Sequence, residues 1–230
     1  QRPVSIPAPA GLGLDSAAVR ARMVQRLAAG GVSSGAVLTA MGAVERHRFV
    51  DSALVNQAYE DTSLPIGLGQ TISKPSVVAR MMELLLGAEI ARSAAGLGRV
   101  LEVGTGCGYQ AAVLARLARE VYSIERLRGL HEKARTNLRP LRLANVHLIL
   151  GDGMEGYAMG APYAGIVAAA GGSQLPLAWC EQLAVGGRLV APTALADGQQ
   201  VLLVVDKTAH GLKQTVLESV HFVPLKSGVA

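Results

Sequence analysis

Aromatic residues are scarce in this chain: one Trp, two Phe and five Tyr among 230 residues, although half of the composition is hydrophobic. A core drawn from it rests mainly on Ala, Val and Leu. Cysteine is scarcer still. Cys107 and Cys180 stand apart with no metal-type spacing, which argues against a disulfide framework and for a reducing, cytoplasmic compartment. No uninterrupted apolar run approaches the roughly 18 residues that a transmembrane helix needs. Gln1 to Gly13 are rich in Pro, Gly and Ala and lack the apolar centre of a signal peptide, so they read as a flexible tail. Gln1 in place of an initiator Met reads as a trimmed start. Charge of one sign does not dominate either, because the net charge is only +5 and its arginines are spread along helices instead of gathered in a run. Solvated helix faces account for that pattern better than a nucleic-acid surface. Internal repeats and coiled-coil heptads are also absent.

What is present is an α/β alternation long enough to bury one good core. Residues 14–97 are expected to hold N-terminal helices and the substrate segment, and 98–230 an α/β core, together one domain. Asp15 suits the N-cap of a first helix with Val19, Met23 and Leu27 on one face, which Gly30-Gly31 ends. A second helix starts near Ser33 or Ser34. Ala58 to Gly69 reads as irregular loop, Pro75 suits the first turn of a third helix, and Gly87 to Gly98 reads as a plain connection. Val100 to Val103 is a short, buried parallel strand, followed by a helix over Ala111 to Ala118. Further strands are expected at 120–124, 146–150, 163–169 and 188–191, with helices carrying Leu127 to Leu138 and Leu177 to Leu183. Asp197-Gly198 and His210-Gly211 are turn signals around strands at 201–205 and 215–217, and 220–223 reads as a last strand. The predicted fold is a mostly parallel, Rossmann-like sheet finishing in antiparallel strands.

The loop after Val103 selects the ligand. Gly104, Gly106 and Gly108 alternate between strand and helix, the place where such folds bind nucleotides. A dinucleotide fingerprint needs its third glycine where Tyr109 stands, so NAD is disfavoured. Glu102, near the strand end, suits a cationic ligand. Glu125 ends the second strand, where a carboxylate can accept both hydroxyls of a ribose. Asp152, in Gly151-Asp-Gly153, follows the third strand and can accept an exocyclic adenine amine. An ammonium or sulfonium, a ribose and an adenine together describe S-adenosylmethionine. For each acid alone, a solvated loop carboxylate or a helix cap is the competing reading.

These residues sit within longer stretches: Arg46-His-Arg-Phe-Val-Asp51, Ala58-Tyr-Glu-Asp-Thr-Ser-Leu-Pro-Ile-Gly67, Gly69-Gln-Thr-Ile-Ser-Lys-Pro75, Leu101-Glu-Val-Gly-Thr-Gly-Cys-Gly-Tyr-Gln110, Ala161-Pro-Tyr163 and Phe222-Val-Pro-Leu225. On them, nearly the whole chain resembles the bacterial protein-L-isoaspartate O-methyltransferases. The resemblance implies an S-adenosylmethionine-dependent methyltransferase fold, with S-adenosyl-L-methionine as donor and S-adenosyl-L-homocysteine as product. It implies damaged proteins and peptides containing L-isoaspartyl residues as substrates, with no metal, nucleic-acid or membrane partner; a monomer is expected. Ser73 then takes the position that meets the substrate carboxylate, with Thr71 beside it and Gln70 and Ile72 over the sulfonium. The loop residues Gly104, Thr105, Gly106, Gly108 and Tyr109 join Glu102, Glu125, Asp152 and Gly153 around the cofactor. Ser73 also suits the N-cap of the helix containing Pro75, a structural reading compatible with the catalytic one.

The implied chemistry needs little acid–base help. The α-carboxylate exposed by a β-linked aspartyl residue is ionised at neutral pH, since its ordinary pKa lies near 3.5. It attacks the methyl group in line, and the ester later collapses off the enzyme to a succinimide. Leu68, Lys74, Cys107 and Ala164 depart from the family's usual His, Gln, Ser and Asp, and the last bears on the geometry of the fourth strand. A nucleic-acid aminomethyltransferase would want an Asn/Asp-Pro-Pro-Tyr-like element where Ala168-Ala-Ala-Gly-Gly-Ser173 stands. A small-molecule O-methyltransferase would want a base or a metal. The Thr71-Ile-Ser73 element argues against a non-catalytic binding module, while Ala164 keeps that reading open.

Overall fold

The computed structural model describes residues 17–94 and 96–230. The chain opens with helices α1 (Ala17–Ala29) and α2 (Gly35–Ala43). Gly31 leaves α1 at φ 103°, and the Val32 N–H returns to the Leu27 carbonyl at 3.1 Å, which satisfies one of the helix's last carbonyls. Ser34 caps α2 by accepting the Val37 N–H at 3.4 Å. Asp15, the cap expected for α1, lies outside the described residues.

The stretch expected to be irregular contains a hairpin. β1 (Leu64–Gly67) pairs antiparallel with β2 (Gln70–Ile72). Its turn places Gly67, Leu68 and Gly69 at φ 96°, 52° and 70°, a run that glycine makes easy at two of the three positions. The dense glycines and proline mask an alternation in which Leu64 and Ile66 are buried and Pro65 and Gly67 exposed. Helix α3 (Pro75–Leu86) carries Pro75 in its first turn, as its fixed φ favours. The connection beyond it is not plain, because it forms the short helix α4 (Glu89–Ser93).

Seven strands make the central sheet: β3 (Leu97–Val103), β4 (Ala118–Glu125), β5 (Val146–Leu150), β6 (Tyr163–Ala168), β7 (Leu183–Ala194), β8 (Gln200–Thr208) and β9 (Gly211–Ser219). Their order is β5-β4-β3-β6-β7-β8-β9, parallel up to β7 and antiparallel beyond it. Helix α5 (Tyr109–Leu114) is shorter than expected because Ala118 already begins β4. Helices α6 (Arg128–Leu138) and α7 (Leu177–Gln182) complete the set. Residues 220–223 are not a strand: β9 ends at Ser219 and the chain turns back toward the strand ends, where the Val223 carbonyl accepts the Gly171 N–H at 3.0 Å. The pairing of β6 with β7 is irregular between Tyr163 and Gly165, the residues flanking Ala164.

The two-residue period of the strands sorts the core. Val100, Val121, Val167 and Val190 pack with the N-terminal helices, while Leu101, Val103, Ile124, Ile166 and Leu189 pack on the face that buries Trp179 of α7. Glu102 shares the parity of Val100 and lies opposite Ser123 in register. No described helix is long and apolar enough to cross a membrane.

Candidate active site

At the carboxyl ends of β3, β4 and β6 lies a cavity of about 220 Å³. Gly104 and Gly106 of the loop, Gln70 and Thr71 of the hairpin, Glu125 of β4 and Gly153 all reach its wall. Both loop glycines need positive φ, 90° and 55°, and a Cβ on Gly106 would stand 3.1 Å from Ile66 Cδ1. The Glu125 carboxylate is held by two backbone donors, Gly106 N–H and Leu127 N–H, each at 2.9 Å. Each of its oxygens keeps a further lone pair, so the group fits a vicinal diol that donates two hydroxyls.

Glu102 is placed differently from what its spacing suggests, and Asp152 carries structural bonds of its own. Glu102 is 0% exposed and absent from the cavity wall. Parity with Val100 turns it beneath the loop, where the Ser123 hydroxyl donates to it and Thr105 pairs with Ser123 at 2.6 Å. Burial pushes its carboxyl up to about 8 despite the opposing pull of Ser123 and Gln110, so a neutral acid predominates at pH 7. It ties the loop to β4 instead of facing a cation. Asp152 accepts the Met154 N–H at 2.8 Å with one oxygen and the Gly228 N–H at 2.6 Å with the other. Of that pair, Gly153 alone reaches the wall. Gly108 lies under the loop, while Thr105 and Tyr109 reach the wall of a second, smaller cavity. Gly108 caps α5 at φ 91°, and Tyr109 is buried against Arg46, whose guanidinium carbon sits 4.8 Å from the ring centre.

This smaller cavity of about 30 Å³ adjoins the same loop, with Ile72, Ser73 and Gln110 in its wall. The two cavities share Ile66, Thr71, Gly104, Gly106 and Ala169. Ser73 does not cap α3. Lys74 holds the N-cap position without a side-chain bond, and Asp61 instead accepts the Ser76 N–H at 2.8 Å. The Ser73 hydroxyl is thereby left for other use.

Three participants escaped the sequence reading. Val223, Pro224, Leu225 and Lys226 wall the larger cavity from the C-terminal tail; Phe222-Val-Pro-Leu225 signalled family but no role. Gln110 lines the smaller cavity. Arg46 is fully buried and donates to the carbonyls of Ala58 at 2.8 Å and Thr62 at 3.4 Å, fixing the segment that leads into the hairpin. No local pattern marks an arginine as buried.

A family model for protein-L-isoaspartate(D-aspartate) O-methyltransferase matches residues 18–230. The protein-L-isoaspartate O-methyltransferase of Methylibium petroleiphilum is 63% identical over 222 residues, covering 96% of this chain and 81% of that one. Its Leptothrix cholodnii counterpart is 60% identical over 223 residues, covering 96% and 78%. Among solved structures, a protein-L-isoaspartate O-methyltransferase matches with a TM-score of 0.80 at 29% identity, covering 91% of this chain and 67% of that chain. A Plasmodium falciparum structure in complex with S-adenosyl-L-homocysteine shares the fold, with a TM-score of 0.74 at 24% identity over 90% of this chain and 98% of that one. The chain therefore belongs to the protein-L-isoaspartate(D-aspartate) O-methyltransferase family.

Proposed function

We propose that this enzyme transfers a methyl group from S-adenosyl-L-methionine to the free α-carboxylate of L-isoaspartyl residues in damaged proteins and peptides. The observation that carries this reading is the shared wall of two cavities: Thr71, Gly104 and Gly106 face both. A donor held on the Glu125 side and an acceptor held on the Ser73 side would meet across that wall. When bound, S-adenosyl-L-methionine supplies an electrophilic methyl group on a sulfonium.

The chain's own residues do the remainder. Glu125 accepts the ribose hydroxyls, and the loop glycines let backbone approach the donor without a side chain in the way. Gln70, Thr71 and Ile72 line the passage between the two sides. The Ser73 hydroxyl donates to one oxygen of the acceptor carboxylate and leaves the other to attack. Serine suits this task because a neutral donor orients the carboxylate without cancelling the charge that makes it a nucleophile. The acceptor is already ionised, so no residue has to remove a proton from it. Ile66, Ile72 and Val78 keep the meeting point apolar, and the main contributions are positioning and partial desolvation. The reading includes a cytoplasmic monomer acting as one unit over residues 14–230.

The test is methyl transfer to an isoaspartyl peptide and to its aspartyl twin. Labelling confined to the isoaspartyl peptide is expected; equal, negligible labelling of both overturns the reading. A Ser73→Ala variant with full activity would remove only the role given to Ser73.

A further inference from the structure

Gln110 stands in the first turn of α5, is 7% exposed, and has no hydrogen-bond partner for either amide atom. Buried side-chain polar atoms are paired in the large majority of cases, so two orphans on one amide call for a reason. The neighbouring carboxyl supplies part of it. Glu102 Oε1 is also buried and unpartnered, and Gln110 faces it closely enough to favour its ionised form without completing a hydrogen bond. The other neighbour is the small cavity, whose wall Gln110 shares with Thr71, Ser73 and Ala169.

The two ends of the amide are not equivalent here. The Ser123 hydroxyl already donates to Oε2 of Glu102, and the pull of Gln110 toward the ionised form marks the amide nitrogen as the end turned toward Oε1, short of a completed bond. That nitrogen carries two N–H groups, so one is left to reach the cavity whose wall Gln110 shares. At about 30 Å³ the cavity has room for roughly one water or one carboxylate oxygen. Ser73 offers one donor to a carboxylate entering there, and a second neutral donor would fix its plane without adding a positive charge.

Resting on the isoaspartyl methyl-transfer reading, we infer that Gln110 is a further acceptor-binding residue whose amide N–H donates to the substrate α-carboxylate beside Ser73. Glu102 is then a positioning residue that acts through Gln110.

The experiment compares wild-type enzyme with Gln110→Met, which keeps the shape and removes both polar ends. Initial rates of methylation of an isoaspartyl peptide are measured with peptide and S-adenosyl-L-methionine varied separately, together with the thermal midpoint of each protein. Loss of a hydrogen bond to a charged group predicts a fall in kcat/KM for the peptide of about 10- to 100-fold. The KM for S-adenosyl-L-methionine should stay within about threefold, and the thermal midpoint should not fall, since the orphaned amide is gone. Peptide kcat/KM within twofold of wild type overturns the inference, as does a lowered midpoint with equal losses for both substrates. Should Gln110→Met fail to fold, Gln110→Glu decides: its loss of peptide kcat/KM should recover as the pH is lowered and the introduced carboxyl takes up a proton. A loss that stays flat with pH overturns the inference. A wild-type enzyme that does not methylate the peptide overturns the underlying reading instead.

Discussion

Asp152 accepts the backbone N–H of Gly228 at 2.6 Å, joining positions 76 apart in the chain. Arg126 donates to the Gly228 carbonyl at 2.9 Å, and Ala230 exchanges backbone bonds with Arg126 and Arg128, each at 2.8 Å. These ties hold the tail whose residues Val223 to Lys226 wall the larger cavity. The acid whose spacing suggests an adenine contact also anchors that wall.

Asp152→Ala removes the acceptor shared by Met154 and Gly228. Losing charge-assisted bonds that are partly open to solvent should raise the KM for S-adenosyl-L-methionine by about 5- to 20-fold. The KM for peptide should move less. Hydrogen exchange of the amides at 225–230 reports the loosening directly, and unchanged protection there would show that Arg126 and the backbone ties suffice.

Glu102 predicts how stability varies with pH. Its carboxyl keeps its proton up to about pH 8 in the folded chain, against an ordinary value of 4.5. The folded state therefore binds more protons than the unfolded state between those limits, so this group's contribution to stability is full below the lower one and falls as pH rises through the window. One such group contributes a slope of at most about 1.4 kcal/mol per pH unit. Glu102→Gln, which mimics the neutral acid, should remove that slope. Thermal midpoints of the two proteins should agree near pH 5 and separate in favour of the variant by pH 8.5, and parallel curves would show that Glu102 ionises normally.

The sheet was legible because its strands contain short apolar runs such as Val100 to Val103 and Val146 to Leu150. Strand limits were not. β3 begins at Leu97 because Leu97 and Arg99 pair with β4, and β7 begins at Leu183, which pairs with Tyr163 before an irregular stretch that carries Gly186 at φ 81°. Spacing could place acids at strand ends but not assign their faces. Glu125 faces the cavity, Glu102 goes to the opposite task through parity with Val100, and the partner of Asp152 lies in a distant tail. The hairpin over 64–72 was hidden because glycine and proline, the usual signs of irregularity, here supply its turn.

Arg46 is a buried cation held by backbone carbonyls and the face of Tyr109. Burial lowers its pKa, with Tyr109 and Cys107 opposing. Arg46→Ala would leave the Ala58 carbonyl without its donor and open a large cavity under the loop. Those two effects together should cost about 3 kcal/mol. In a domain of this size that is a fall in thermal midpoint of about 6–12 °C, measurable by calorimetry. A fall under about 2 °C would mean that the site collapses around the smaller side chain.

Leu68 combines features that seldom occur together: a branched side chain at φ 52°, 63% exposed, in the wall of the larger cavity. A left-handed conformation costs a non-glycine residue roughly 1–2 kcal/mol. Leu68→Gly relieves that cost but adds conformational freedom to the unfolded chain, which offsets up to about 1 kcal/mol of the gain. Folding stability should therefore change little, with the thermal midpoint level or slightly raised. Binding should respond differently. The side chain roofs part of the cavity and its tip leans on α6, where a Cβ added at Gly129 would lie 3.0 Å from Leu68 Cδ1. Removing it exposes apolar wall and frees the hairpin tip, worth about 1 kcal/mol, or roughly fivefold weaker binding of S-adenosyl-L-homocysteine by titration calorimetry. Leu68→Asn separates the two contributions, because Asn tolerates the left-handed region without restoring the apolar roof. It should bind as weakly as the glycine variant, and wild-type affinity in either variant would show that the leucine only closes the turn.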